Sequence, residues 1–139
     1  MEETPYPICS YQNLRAYQYA TVLATDLFWI TRRFPNEELH ALTAQLRRTA
    51  RLIPFQVGLG WKYRYYGPDF RLHLDEAQAA CAQLGLWLSM AYESCYLTDD
   101  AYAGLQARKT HLQRMLTRLN DQRILMLACG AVQALTYPG

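Results

Sequence analysis

The stretch Phe34–Pro54, FPNEELHALTAQLRRTARLIP, decides the fold class. Its apolar residues recur three or four positions apart, a spacing that places them on one face of a helix. They are Leu39, Leu42, Leu46, Ala50 and Ile53, with Val57 continuing the series. Arg47, Arg48 and Arg51 lie largely off that face. The stretch therefore predicts an amphipathic helix with a core side and a cationic side.

Proline and asparagine mark the boundary between a first helix, before this stretch, and a second helix within it. The first helix spans about residues 11–33, because Pro35 disfavours a helical residue before it. Asn36 is a good N-cap for the second helix. That second helix is predicted to run to about Tyr65, with a kink at Pro54, which has no N–H to donate.

The third predicted helix carries the most regular apolar stripe. Its residues alternate spacings of four and three, the pattern of a helix-bundle seam. They are Phe70, Leu74, Ala77, Cys81, Leu84, Leu88, Ala91 and Cys95. Thr98 is predicted to cap a fourth helix, which extends to about residue 123 with Lys109 at one seam position. Residues 124–139 are apolar around most of a helix, so we expect them to form a buried C-terminal extension.

These patterns predict an all-α protein that folds as an antiparallel up-down four-helix bundle. We expect one domain over residues 1–139, with its core at about 11–123. Hydrophobic residues make up 51% of the chain and charged residues 19%, which excludes a disordered chain.

Neither a zinc site nor a disulfide framework can be read from the four cysteines, because no two of them form a CxxC pair and they are far apart in the sequence. We expect them to be small, buried apolar residues. No apolar run approaches the roughly 20 residues of a membrane span. Glu2 and Glu3 stand where a signal peptide carries cations. These features predict a cytoplasmic protein that does not enter a membrane.

The chain carries no recognisable motif for catalysis or metal binding. His40, His73 and His111 lie on different predicted helices and belong to no HExxH or ExxH pair. Gly58 and Gly60 are not followed by the Gly-Lys-Ser/Thr of a phosphate-binding loop. We predict a protein that is not an enzyme and has no catalytic residues, no metal and no cofactor.

Charge is unevenly distributed, although the net charge is only +2. Residues 39–74 carry six basic side chains and one acidic one, whereas residues 75–100 carry five acidic side chains and no basic one. The cations suited to contact phosphates of RNA or DNA are Arg47, Arg48, Arg51, Lys62 and Arg64. Alternatively, the cationic face is simply solvated, with pairing to acidic residues such as Asp75, Glu76, Asp99 and Asp100.

The segment 61–66, WKYRYY, interleaves aromatic and basic side chains. This composition is typical of a platform on which bases of a single strand stack. It is equally typical of an amphipathic helix end that packs on a neighbouring subunit, since aromatic residues are enriched at interfaces.

The third helix has more apolar surface than the other helices of one bundle would cover. This surplus predicts a homo-oligomer, with a protein partner as the alternative. The candidate interface residues are Leu86, Trp87, Met90, Ile124, Leu125 and Leu127.

Several motifs resemble those of a known family. Phe34-Pro35, Glu38, the run LTAQLRR at 42–48 and Ile53-Pro54 match its second helix, and Tyr96-Leu97 stands where it has Gly-Tyr-Ile. The family is that of the bacterial four-helix-bundle proteins first noticed in intervening sequences of large ribosomal RNA genes. The accessory proteins of diversity-generating retroelements are related to it.

The chain also departs from that pattern. Residues 55–60 read FQVGLG where the family has Ser-Asn-Ile-Ala-Glu-Gly, and residues 83–85 read QLG where it has Glu-Leu-Glu. The resemblance implies a ring-shaped homo-oligomer, a pentamer, and in the retroelement branch a basic surface that binds nucleic acid. It implies no catalytic residues. Two functions are favoured from the sequence: a ring that binds nucleic acid, and a scaffold that binds only protein. The sequence neither motivates nor excludes a third, the binding of an apolar ligand in the bundle or the ring lumen.

Overall fold

The computed structural model of the protein describes residues 9–121, 123, 126 and 127. This part of the chain contains four α-helices and no strand, which confirms the prediction of an all-α protein. The helices are α1 (Arg15–Thr31), α2 (Leu42–Lys62), α3 (Gly67–Glu93) and α4 (Asp99–Asp121). Two short 3-10 turns, Tyr11–Asn13 and Asn36–Glu38, precede α1 and α2.

The four helices form a closed bundle in which α2 packs against α1 and α3, and α4 packs against α3 and α1. Contacts between helix ends show that neighbours run antiparallel. Arg47, near the start of α2, bonds to Thr31 at the end of α1, and Arg108, in the first half of α4, pairs with Asp26 in the second half of α1. Buried apolar side chains from all four helices form one cluster.

The corner between α1 and α2 differs from the sequence prediction. Helix α1 ends at Thr31, and Asn36 begins a 3-10 turn instead of capping α2. Ala41 is the N-cap residue of α2, and the Glu38 Oε1 accepts a hydrogen bond of 3.5 Å from the Leu42 N–H. The same carboxylate accepts a hydrogen bond of 2.9 Å from the Tyr96 hydroxyl. Two residues of the family motifs thus join the start of α2 to the loop before α4.

Helix α2 continues through Pro54 and ends at Lys62, three residues earlier than the sequence prediction. The predicted core face is confirmed at Leu42, Leu46, Ala50, Ile53 and Val57, all of which are buried. Leu39 is the exception. It is 41% exposed because it precedes the first turn of the helix.

The seam of α3 is confirmed from Phe70 to Ala91 and is wrong at Cys95. Cys95 lies beyond the helix, with a φ of 64°. Its N–H donates to the Tyr92 carbonyl and that of Tyr96 to the Ala91 carbonyl. This pair of bonds is the Schellman ending of a helix, whose left-handed residue is usually glycine. The resemblance of Tyr96-Leu97 to Gly-Tyr-Ile implies a glycine at this position, and glycine adopts such a φ without strain.

The cysteines differ from one another in a way that their sequence spacing does not show. Cys81 is buried, as predicted, and burial raises the pKa of its thiol to about 12. Cys95 is exposed, and Cys9 is disulfide-bonded, so the expectation of small buried thiols is wrong for both.

The apolar extension predicted at 124–139 falls mostly outside the described residues. Met126 is fully buried and Leu127 is half-buried, whereas Ile124 and Leu125 lie outside the described residues, as do 128–139. No helix in the described ranges is long and apolar enough to cross a membrane.

Candidate nucleic-acid interface

Arg47 is fixed against the last turn of α1. Its Nε donates to Thr31 Oγ1 at 2.9 Å and its Nη2 to the Phe28 carbonyl at 3.4 Å. Its guanidinium also lies 4.4 Å from the centre of the Phe28 ring. The carbonyls at a helix C-terminus attract cations, so the arginine joins α1 and α2 at that end. Only the outer edge of its guanidinium is left for a ligand.

Arg48, Arg51 and Lys62 are exposed on the outer side of α2. Arg48 donates to the side chain of Gln45 at 3.1 Å, and Arg51 lies 5.7 Å from the centre of the Phe28 ring. Among the described residues, none of the three makes an ion pair with a carboxylate. Their charge is therefore available to a partner.

Arg64 is buried, with only 9% of its surface exposed. Its Nε donates to the Met126 carbonyl at 3.2 Å and its Nη1 to the Trp61 carbonyl at 2.9 Å. Arg123 in turn donates to the Arg64 carbonyl at 2.8 Å. These bonds tie the corner between α2 and α3 to the chain after α4. The Arg64 Nη2 also donates to the Tyr65 hydroxyl at 3.3 Å. A buried guanidinium with three hydrogen-bond partners is a structural element, so Arg64 is not presented to a nucleic acid.

The aromatic segment 61–66 is largely engaged within the chain. The Arg64 guanidinium lies 4.0 Å from the centre of the Trp61 ring and 4.6 Å from that of Tyr65. Tyr63 stacks on His73 at 5.3 Å between ring centres. Tyr66 is the most exposed of the four rings, at 61%. The segment therefore offers one free ring rather than a row of them.

The cations of α4 are divided between internal and external roles. Arg108 pairs with Asp26 at 2.7 Å, the one ion pair between described residues. Lys109 lies against Gly85 of α3, near the buried Cys81. Arg114 and Arg118 are exposed. The acidic residues that the sequence offered as partners for the α2 cations do not pair with them.

The described candidate interface residues of α3 lie together on the outer surface. Leu86 is 64% exposed and Met90 is 49% exposed. With Trp87, Gln83 and Arg48 they surround a small cavity of about 160 Å³. Arg48 thus borders the apolar patch as well as the cationic side of α2.

Two larger cavities lie between α1 and α2, and the sequence patterns did not indicate them. One, of about 480 Å³, has Tyr17, Phe28, Arg51 and Phe55 in its walls. The other, of about 460 Å³, is more polar and shares Phe28 with the first. Phe55 is a large apolar residue outside the core stripe of α2, and its side chain is 61% exposed. An aromatic residue at such a position is the sequence feature that could have predicted the first cavity.

The described residues contain no group of three or more His, Cys, Asp or Glu side chains able to hold a metal ion. The His73 ring is hydrogen-bonded to the side chain of Gln56 at 2.8 Å and stacks on Tyr63. These contacts give the ring a structural role. The geometry shows a helical scaffold with a cationic side, an apolar patch and two cavities between its first helices.

A closed antiparallel arrangement of four helices, built from an up-down sequence of connections, defines the chain as a four-helix-bundle protein. The family follows from the sequence match. The model of the 23S rRNA-intervening sequence protein family matches residues 12–118, and the chain belongs to that family.

A solved structure has the same fold. It is the crystal structure of a protein of unknown function from the S23 ribosomal protein family of Bacteroides thetaiotaomicron. The superposition has a TM-score of 0.69 at 16% sequence identity and covers 76% of this chain and 95% of the other. At that identity the likeness shows the fold alone. No curated protein sequence matches the chain.

Proposed function

We propose that the protein is a non-enzymatic, homo-oligomeric helical bundle of the cytoplasm that binds nucleic acid through the cationic side of α2. The observation that carries the proposal is the exposure of Arg48, Arg51 and Lys62 without a carboxylate partner among the described residues. Unpaired exposed cations on one helix create a local positive potential, and a homo-oligomer repeats it once per subunit. Phosphate groups of RNA or DNA are the matching anions.

The test compares two charge reversals of equal size. Arg48→Glu with Arg51→Glu changes the α2 surface, and Arg114→Glu with Arg118→Glu makes the same change on α4. Each phosphate that the protein no longer neutralises lowers the slope of log affinity against log salt by roughly 0.7–0.9. We expect the α2 pair to weaken binding of a labelled oligonucleotide at least tenfold and to reduce that slope, with a smaller effect from the α4 pair. Equal effects of the two pairs would refute the assignment to α2.

A second candidate function is a protein scaffold without nucleic-acid binding, and the exposed patch of Leu86, Trp87 and Met90 favours it. Large apolar side chains grouped on a surface mark sites of protein association. We propose that this patch contributes to the subunit interface of a ring. The family resemblance implies that the ring is a pentamer. Each subunit is then one domain formed by the whole chain. Interfaces of stable oligomers are apolar at their centre, as this patch is.

Native mass spectrometry tests the patch. We expect Leu86→Asp to reduce the subunit number, because a carboxylate buried in an apolar interface has no partner. Leu72→Asp is the matched control, since Leu72 is 52% exposed on the same helix and lies outside the patch. An unchanged oligomer in Leu86→Asp would remove the patch from the interface.

A further inference from the structure

The groove between α1 and α2 combines aromatic walls with a cation. Its volume is about 480 Å³, and the rings of Tyr17, Phe28 and Phe55 line it together with Pro54 and Arg51. None of its lining residues is acidic. Phe55 is 61% exposed, so little protein covers the ring within one subunit.

A polar cleft of about 460 Å³ adjoins the groove on the other side of Phe28, which lines both. Arg32, Asn36 and Arg47 are among the residues that line it, and the Arg32 guanidinium also lies 5.1 Å from the centre of the Trp29 ring. Thr43 also lines the cleft, and its hydroxyl is buried without a hydrogen-bond partner. Again no lining residue is acidic. The cleft therefore combines two arginines with an unpartnered hydroxyl and no carboxylate among its lining residues.

Phe28 lies at the junction of these two environments, with cations on its face. The Arg47 guanidinium is 4.4 Å and the Arg51 guanidinium 5.7 Å from the centre of its ring. A flat aromatic surface beside a cationic, donor-rich cleft matches a ligand with a planar ring at one end and an anion at the other. Unpaired nucleotides have that shape and charge.

We propose that the groove and the cleft together hold an unpaired nucleotide of single-stranded nucleic acid. The base stacks against Phe55 in the groove, and the adjoining phosphate lies at Arg32 and Arg47 in the cleft. Guanidinium groups match phosphate oxygens in two-point hydrogen bonds, which favours arginine at such a position. The proposal rests on the nucleic-acid binding proposed above and adds that the bound form is single-stranded, because paired bases are stacked within a duplex and present no free ring face.

The charge of the cleft favours a nucleotide over an apolar helix of a protein partner. A helix laid on Phe55 and Phe28 would cover the groove but would leave the guanidinium groups of the cleft without an anion. Burying unpaired cations is costly. A protein occupant is an outcome that the experiment below detects.

The experiment measures binding of a fluorescein-labelled mixed-sequence oligonucleotide by anisotropy, as a single strand and as the matching duplex. The variants are Phe55→Ala and Phe55→Trp. Leu72→Ala is the control, because Leu72 is a large apolar side chain, 52% exposed, that lines neither the groove nor the cleft. Circular dichroism and native mass spectrometry check the fold and the subunit number of each variant.

We expect the native protein to bind the single strand more tightly than the duplex. Removal of one stacking ring should weaken single-strand binding roughly 5- to 150-fold in Phe55→Ala. The duplex affinity of that variant should stay the same. Phe55→Trp should retain single-strand binding, and Leu72→Ala should behave as the native protein does.

Several results would overturn the inference, and they separate it from the proposed function. Native-like single-strand affinity in Phe55→Ala refutes the groove while nucleic-acid binding stands. If Phe55→Ala binds the single strand as the native protein does but has a lower subunit number, the groove is a protein interface. Adenosine monophosphate is added as a competitor of the labelled strand. If it displaces the label as well as the unlabelled strand does at equal nucleotide concentration, the ligand is a free nucleotide and the proposal of a single strand is refuted. No binding of either form by the native protein at low salt refutes the proposed function itself.

Discussion

Arg47 and Arg48 are adjacent in the sequence, yet the structure predicts unequal effects on stability when each is replaced by alanine. The Arg47 variant loses the bond of 2.9 Å to Thr31 Oγ1, the longer bond to the Phe28 carbonyl and the packing of the guanidinium on the Phe28 ring. The Arg48 variant loses one bond, to the exposed side chain of Gln45. The first set of interactions joins two helices, whereas the second stays on the surface of one helix.

The magnitude for Arg47→Ala follows from these interactions. A well-formed hydrogen bond contributes about 1 kcal/mol net, and the longer one about half as much. A half-exposed cation–π contact adds roughly 0.5–1 kcal/mol. Together they give a loss of about 2 kcal/mol. In a chain of this size that corresponds to a fall in Tm of roughly 6–8 °C. Arg48→Ala should change the free energy of unfolding by less than about 0.5 kcal/mol.

Urea unfolding followed by circular dichroism at 222 nm measures both variants, at one protein concentration because association contributes to apparent stability. Thr31→Val adds a second test. It removes the hydroxyl that Arg47 contacts, so its effect and that of Arg47→Ala should be less than additive. Equal stability of Arg47→Ala and Arg48→Ala would refute the reasoning. The result also bears on binding studies, because a charge reversal at Arg47 would alter the fold as well as the interface.

Four further predictions concern the loop before α4 and the core. Cys95→Gly should raise the free energy of unfolding by about 0.5–1 kcal/mol in urea unfolding, because glycine adopts a φ of 64° without strain, while Cys95→Ala should bring no gain. The hydrogen bond to Glu38 raises the pKa of Tyr96. Glu38→Gln should therefore lower that pKa towards its ordinary value, as measured by NMR titration of labelled tyrosine. An unchanged pKa would contradict the contact. Burial raises the pKa of Cys81 to about 12, so iodoacetamide at pH 8.5 should label Cys95 and spare Cys81 until urea unfolds the chain. Stability should also fall as the pH rises from about 9 towards 12, since the thiol then ionises in the unfolded state first, and Cys81→Ala should reduce that fall.

The family motifs have structural explanations in this chain. Phe34 packs against Tyr96 at 5.2 Å between ring centres, and Glu38 bonds the same tyrosine. Arg47 holds the end of α1, and Cys95 occupies a left-handed turn. These residues position the corners of the bundle. The sequence resemblance therefore supported the fold more strongly than it supported any binding activity.

Local patterns were enough to predict the number of helices, their approximate limits and most of the core. Each of these depends on the 3.6-residue period of a single helix, which is written in consecutive residues. The seam from Phe70 to Ala91 illustrates this, since every predicted residue is buried and Ala80 is the one buried residue of α3 outside the predicted series. The exceptions, Leu39 and Cys95, lie just outside helix ends, where periodicity no longer applies.

The tertiary structure alone decided which cations are exposed and where cavities form. Arg47 and Arg64 belong to the same basic segment as Arg48 and Lys62, and no local pattern separates them. The end of α1 binds the first, and the chain after α4 binds the second. The groove beside Phe55 likewise exists because α1 lies against α2. Burial, hydrogen bonding and cavity shape arise between segments that are distant in the sequence, so they are fixed only when the helices pack.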